Sequence, residues 1–164
     1  NYIEELLNCS SCTNIGCAHP IAFNKYGILE YSVEKAWLKL SPNKEVHYLK
    51  ARKLFQGPCM KLIHRNIIGN HRFDTRFRNG EDSLFMFLIS SKFNTISITS
   101  ESAIYYRRVR ADSAAYRKKP LLEKFYNSIR LISIYTSIFI SQPFKYNINF
   151  YITRIIGTIR MFLN

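Results

Sequence analysis

The tripeptide Gly80-Glu81-Asp82 holds the side chains of this sequence best suited to chemistry. It leads through Ser83 into LFMFLISSKF, a run that predicts a helix of about two to three turns. Carboxylates on the first turn of a helix sit where the backbone N–H groups and the helix dipole favour negative charge, which holds them ionised at neutral pH. An ionised Asp at a pocket mouth accepts the proton of an attacking hydroxyl. The same residues also serve simply as a helix cap, and the tripeptide alone leaves both roles open. A second grouping, Cys9, Cys12, Cys17 and His19, has the form C-x2-C-x4-C-x-H. These are zinc-ligand types, but the spacing is not a familiar zinc pattern and there is no second spaced pair, so no zinc is expected. A third, residues 71–78, alternates aromatic and basic side chains. Such a run either stacks on sugar rings or bases, or forms a strand with one face in the core. His47, His64 and His71 stand singly in basic surroundings and are assigned no role.

The elements that must position these residues follow from periodicity and punctuation. Residues 2–9 place Ile3, Leu6 and Leu7 at helical spacing with Glu4 and Glu5 opposite, a short amphipathic helix. Residues 13–23 read as a strand entering a turn, and residues 28–33 as a second extended piece after Lys25-Tyr26-Gly27. Residues 46–54 read as helical, ended by Gln56-Gly57-Pro58-Cys59. Residues 94–99 and 103–109 read as strands. Pro120 opens a helix with Leu121, Leu122, Phe125, Tyr126, Ile129 and Ile132 on one face. After Pro143 a second stripe runs through Ile148, Tyr151, Ile152, Ile155, Ile156 and Ile159.

The chain has 164 residues, 47% of them hydrophobic, which excludes whole-chain disorder and allows a real core. Its +13 formal charge is unevenly spread. Residues 1–49 carry net −1, residues 50–78 carry +7, residues 79–106 carry −2 and residues 107–164 carry +9. Glu81 and Asp82 thus sit in an acidic island between two basic blocks, the pattern of a carboxylate beside a polyanion site and equally that of a basic membrane-facing surface. The uncharged run over residues 131–144 is too short and too polar for a spanning helix.

Three segments, in order, resemble bacterial family 2 glycosyltransferases. Residues 57–68, with Gly57, Lys61, Leu62 and Arg65, resemble the "G…KLY-R…" segment of that family. Phe73 through Gly80-Glu81-Asp82 to Phe85 resembles its "F…GED…F", and Ile104-Tyr105-Tyr106-Arg107-Arg108-Val109-Arg110 through Ser113 its "YYYR-x-R-x-x-S". The resemblance implies an α/β fold, the second half of a GT-A, Rossmann-like domain over residues 1–117, followed by a basic amphipathic helical tail over residues 118–164. It implies Asp82 as the catalytic base of an inverting displacement, with Glu81 its supporting neighbour. Arg107, Arg108 and Arg110 would face the donor diphosphate, which guanidinium groups neutralise. Lys61, Arg65 and Ser113 would belong to the acceptor-side motif. The partners implied are a nucleotide-diphosphate sugar and a surface-polysaccharide or lipid-linked glycan acceptor.

One departure matters. The family holds a divalent metal, Mg or Mn, with an Asp-x-Asp motif, and the Asp residues here are at 74, 82 and 112 with no such pair. In relatives, a segment like Asn1-Tyr2-Ile3-Glu4-Glu5-Leu6 follows shortly after that motif. The chain therefore reads as the acceptor-side half of such an enzyme, expected to have little or no turnover by itself. The basic tail suits an anionic membrane surface or a helical layer packed on the catalytic domain. The four thiols suit a cytoplasmic setting, peripheral to the inner face of the plasma membrane. A reading of another class is a non-enzymatic basic module for anionic lipid or nucleic acid, although no motif for specific nucleic acid is present.

Overall fold

The computed structural model describes residues 1–77, 79–110 and 120–163. Helix α1 (Tyr2–Cys9) opens with a capping box, Asn1 accepting from the backbone of Ile3 and Glu4. The strand expected over residues 13–23 is two strands, β1 (Asn14–Cys17) and β2 (His19–Asn24), which separate at Ala18 into different sheets. Strands β6 (Thr95–Ile98) and β7 (Ile104–Arg108) make the same passage. Thus β1 pairs parallel with β6 at Cys17↔Ile98, and β2 pairs parallel with β7 at His19↔Ile104. The first sheet is completed by β4 (Glu45–His47) and the short β5 (Lys61–Leu62) in the order β4-β6-β1-β5, and the second by β3 (Gly27–Leu29) in the order β3-β2-β7. Both sheets are mixed, so the fold is mixed α/β with helices at its C-terminus.

Two short segments differ from their sequence reading because long-range pairing outweighs local preference. The extended piece over residues 28–33 stops at Leu29, and helix α2 (Ser32–Trp37) takes over because Val33 and Trp37, one turn apart, both bury in the core. The helix expected over residues 46–54 is instead strand β4, which satisfies the edge of β6, followed by a 3-10 turn at Arg52–Leu54. Residues 71–77 form no strand: Phe77 is buried, while Phe73 stacks on Phe85 with centroids 4.4 Å apart. Helix α3 (Arg65–Ile68) is capped by His64, and helix α4 (Glu81–Ile89) buries Leu84 through Phe87 and Ile89.

Helices α5 (Leu121–Ser141) and α6 (Ile148–Leu163) share the core of the sheets: Leu131, Tyr135 and Phe150 join Tyr48, Phe55, Phe87 and Phe93 in one cluster. Phe150 is fully buried, edge-on to Phe55 and Tyr48. The inward face of α6 is not its most apolar one, whereas α5 turns Leu131 and Tyr135 inward with Ile134 and Ile138 packed beside them. On α5 the buried residues are Ser128, Leu131 and Tyr135, at steps of three and four, and on α6 Phe150, Arg154 and Thr158, at steps of four. Most of the two apolar stripes read from the sequence, including Leu121, Leu122, Phe125, Ile129, Ile152, Ile156 and Ile159, is exposed. Among the described residues no helix is long and apolar enough to cross a membrane.

Candidate functional site

Three segments converge on Asp82. The first is the turn into α4, where Gly80 has φ +89° and lies tightly under Leu131 of α5. A side chain at residue 80 would be strained in this left-handed conformation and would also collide with Leu131. Asn127 of α5 fixes the same turn by donating to the Asn79 carbonyl at 3.1 Å. No side chain caps α4, so Glu81 and Asp82 occupy its first turn as carboxylates rather than as the N-cap.

The second segment is the loop before β5. A Cβ built on Gly57 would lie 3.1 Å from Asp82 Oδ2, so the backbone here runs directly against the carboxylate. The Lys61 ammonium ties this loop together by donating to the Gly57 carbonyl at 2.6 Å and the Cys59 carbonyl at 3.3 Å. Burial depresses the Lys61 pKa, opposed by the negative fields of Cys17, Cys59 and Asp82. Burial raises the Asp82 pKa above the ordinary carboxylate value, Glu81 adds to the rise and Lys61 opposes it. That direction makes Asp82 a stronger proton acceptor than a solvent-exposed Asp.

The third segment is the tail. Arg154 of α6 reaches back over the N-terminal turn of α4, donating to the Phe55 carbonyl at 2.9 Å, the Arg52 carbonyl at 3.1 Å and the Ser83 hydroxyl at 3.2 Å. Tyr135 of α5 donates to the same Ser83 hydroxyl at 3.1 Å. Between α4 and these helices lies a cavity of about 580 Å³ whose walls include Glu81, Asp82 and Arg154. Arg154 and Tyr135 are absent from the sequence-derived site. The available signal was a charged residue four positions from Phe150 and four from Thr158 on α6, a stripe overshadowed by the more apolar one beside it.

The motif arginines are not brought together equally. Along β7, Tyr105 and Arg107 point to one face and Tyr106 and Arg108 to the other. Burial raises the Tyr105 pKa and Cys59 of the Lys61 loop adds to the rise, and the Arg107 guanidinium lies 5.1 Å above the Tyr31 ring. Tyr106 instead packs edge-on to Phe23, which puts Arg108 on the side away from that loop. Arg108 and Arg110 are exposed, as is Arg65 on α3. Ser113 lies outside the described residues.

Of the cysteine-histidine grouping, Cys17 is buried in β1, its thiol pushed up to about 11 by burial, and Cys12 is exposed. His19 stacks on Trp37 at 4.4 Å, with Nδ1 3.2 Å from the Glu101 carbonyl. Among the described residues no group of three or more His, Cys, Asp or Glu side chains is placed to hold a metal ion.

The charges around Asp82 set a pH dependence. If ionised Asp82 accepts a proton, activity falls as pH drops through its raised pKa, so the acid limb lies above that of a solvent-exposed Asp. Lys61→Met removes the charge that holds this pKa down, so the limb moves to higher pH. The check is a pH profile of kcat/KM for both forms in the gene product that contains this chain. Comparison with family models, curated proteins and solved structures finds no match to this chain.

Proposed function

We propose that this chain is the acceptor-side part of an inverting family 2 glycosyltransferase of GT-A fold, moving a sugar from a nucleotide-diphosphate donor to a glycan or lipid-linked acceptor. The observation that carries the reading is Asp82, a half-buried carboxylate of raised pKa that lines a cavity, with the Lys61 loop against it. An acceptor hydroxyl oxygen attacks the anomeric carbon of the donor, the carbon–oxygen bond to the diphosphate breaks, and that electron pair leaves with the diphosphate. The acceptor proton passes to Asp82. Glu81 raises the basicity of its neighbour, and Arg107, on the face of β7 that meets the Lys61 loop, is the arginine best placed for the departing diphosphate.

The exposed apolar stripes of α5 and α6, with Lys124, Arg130 and Arg160 between their residues, support a place for the protein at an anionic membrane surface on the cytoplasmic side. A lipid-linked acceptor is presented at such a surface. A purely basic binding module would account for these charges as well, but not for a carboxylate tuned upward beside a cavity.

The experiment supplies labelled nucleotide-diphosphate sugars and cell membranes to the gene product that contains this chain. Transfer of label to a membrane-bound or glycan acceptor, with release of nucleoside diphosphate, is the expected result. Salt-sensitive lipid or DNA binding with no transfer from any donor would establish the module instead.

A further inference from the structure

A second cavity, of about 320 Å³, is lined by helix α2 with the residues just past it and by the segment of the 3-10 turn at Arg52–Leu54. It shares no lining residue with the cavity beside Asp82. Lys35, Lys39, Lys50, Arg52 and Lys53 line it, and no Asp or Glu does. In the sequence these cations fall in two stretches of opposite sign, residues 1–49 at net −1 and residues 50–78 at +7. The fold gathers them because α2 packs against the 3-10 turn, with Val33, Trp37, Ala51 and Leu54 all buried in the core.

The charges are largely uncompensated. Lys35 forms an ion pair with Glu30. Among the described residues no carboxylate pairs with Lys39, Lys50, Arg52 or Lys53. Arg52 donates one guanidinium N–H to the Leu49 carbonyl at 3.3 Å and keeps its other donors. Like charges around one concavity repel, and a cleft lined by one sign of charge focuses the field and concentrates counter-ions. An anion seated there would relieve the repulsion among all of these groups at once.

The lining also narrows the anion. Ammonium and guanidinium groups donate hydrogen bonds and accept none, so the ligand must be rich in acceptors. A carboxylate has one charge on two oxygens, which a single one of these cations would satisfy. A phosphomonoester carries nearly two charges and three strong acceptor oxygens, enough to engage several of them together. Ala36 and Leu40, with the buried Ala51 and Leu54, add apolar surface for the organic group that bears the phosphate. The volume is at the small end of the range for small-molecule sites, which suits a terminal phosphate on a compact carrier.

We propose that this cavity binds a phosphomonoester group, borne by a free metabolite or by a lipid headgroup. The proposal does not rest on the glycosyltransferase reading, in which the donor diphosphate falls to Arg107.

The test compares two charge-matched pairs of substitutions in the full chain. Lys39→Gln with Lys53→Gln removes two cavity cations, and Lys25→Gln with Lys92→Gln removes two exposed lysines outside the cavity, so both doubles lose the same net charge. Glycerol 3-phosphate is titrated into each by calorimetry in a phosphate-free, low-salt buffer. The parent chain is expected to bind it and to unfold at a higher temperature in its presence. Affinity should fall roughly tenfold or more in the cavity double and less than about twofold in the control double, with both folded by circular dichroism. Phosphatidylcholine vesicles with and without phosphatidic acid separate the two sources. Vesicle binding that requires phosphatidic acid and is lost in the cavity double assigns a lipid headgroup, and binding of glycerol 3-phosphate without such a vesicle effect assigns a free metabolite. No binding of glycerol 3-phosphate or of the phosphatidic acid vesicles overturns the proposal, as does equal weakening in the two doubles, which would leave only bulk charge. Duplex DNA that binds through the cavity lysines where glycerol 3-phosphate does not would overturn it in favour of a nucleic-acid surface.

Discussion

On the proposed mechanism, Asp82→Asn is expected to lower kcat for sugar transfer by about 10³-fold, the scale of a lost general base. That factor corresponds to about 4 kcal/mol of barrier. The amide keeps the size of the carboxylate and still fits against Gly57, so the N-terminal turn of α4 retains its shape. It cannot take up the acceptor proton. KM for donor and acceptor should change little, because the proton is transferred only as the new bond forms. The measurement is steady-state kinetics of the gene product, alongside circular dichroism to show that the variant folds. Activity within a few-fold of the parent would remove Asp82 from the mechanism and leave it as part of the helix turn.

Phe150→Ala destabilises the protein by about 3–5 kcal/mol, the cost of emptying a fully buried aromatic site. The ring lies edge-on to Phe55 and Tyr48, and the Arg154 guanidinium lies 4.7 Å from its centroid. Its loss therefore loosens both the seat of α6 and the arm that reaches Ser83. Because Phe150 belongs to the same cluster as Ile15 and Ile96 of the first sheet, unfolding of the sheets and of the helical tail should shift together. Chemical denaturation followed by near-ultraviolet and far-ultraviolet dichroism checks this. Two separate transitions, with only the helical one displaced, would show that the tail folds as an independent layer.

The parts of the fold legible in the sequence are those whose own pattern agrees with their surroundings. Helices α1 and α4 start at Asn1 and after Gly80 as cap and turn chemistry require, and β6 and β7 follow from runs rich in Ile, Thr and Tyr. Segments decided by distant partners were not legible. Strand β4 exists because β6 offers it an edge, and β1 and β2 part at Ala18 because β5 and β7 pair with them in different sheets. The tail shows a different failure. Its helical periodicity is plain, but on α6 the stripe of Ile148, Ile152, Ile156 and Ile159 is exposed while Phe150, Arg154 and Thr158 face the core, and the sequence left open whether the tail packs on the domain or lies on a membrane.

The same division runs through the site. Glu81 and Asp82 are visible in sequence because carboxylates after a glycine at a helix start are locally distinctive. Lys61 came only through its motif, and its closeness to Asp82 depends on the fold of the loop between Gly57 and β5. Arg154 lies 71 residues beyond the serine to which it donates, and no local pattern joins the two. Arg107 separates from Arg108 and Arg110 only once β7 is paired and its two faces are assigned.

The most direct measurement of the central claim is the anomeric configuration of the bond made by the gene product, read by NMR of the isolated product against the donor. A single displacement with Asp82 as base inverts the anomeric centre, so an α-linked donor gives a β-linked product. A product that keeps the configuration of the donor would contradict the account, because a single direct attack assisted by one base cannot retain it.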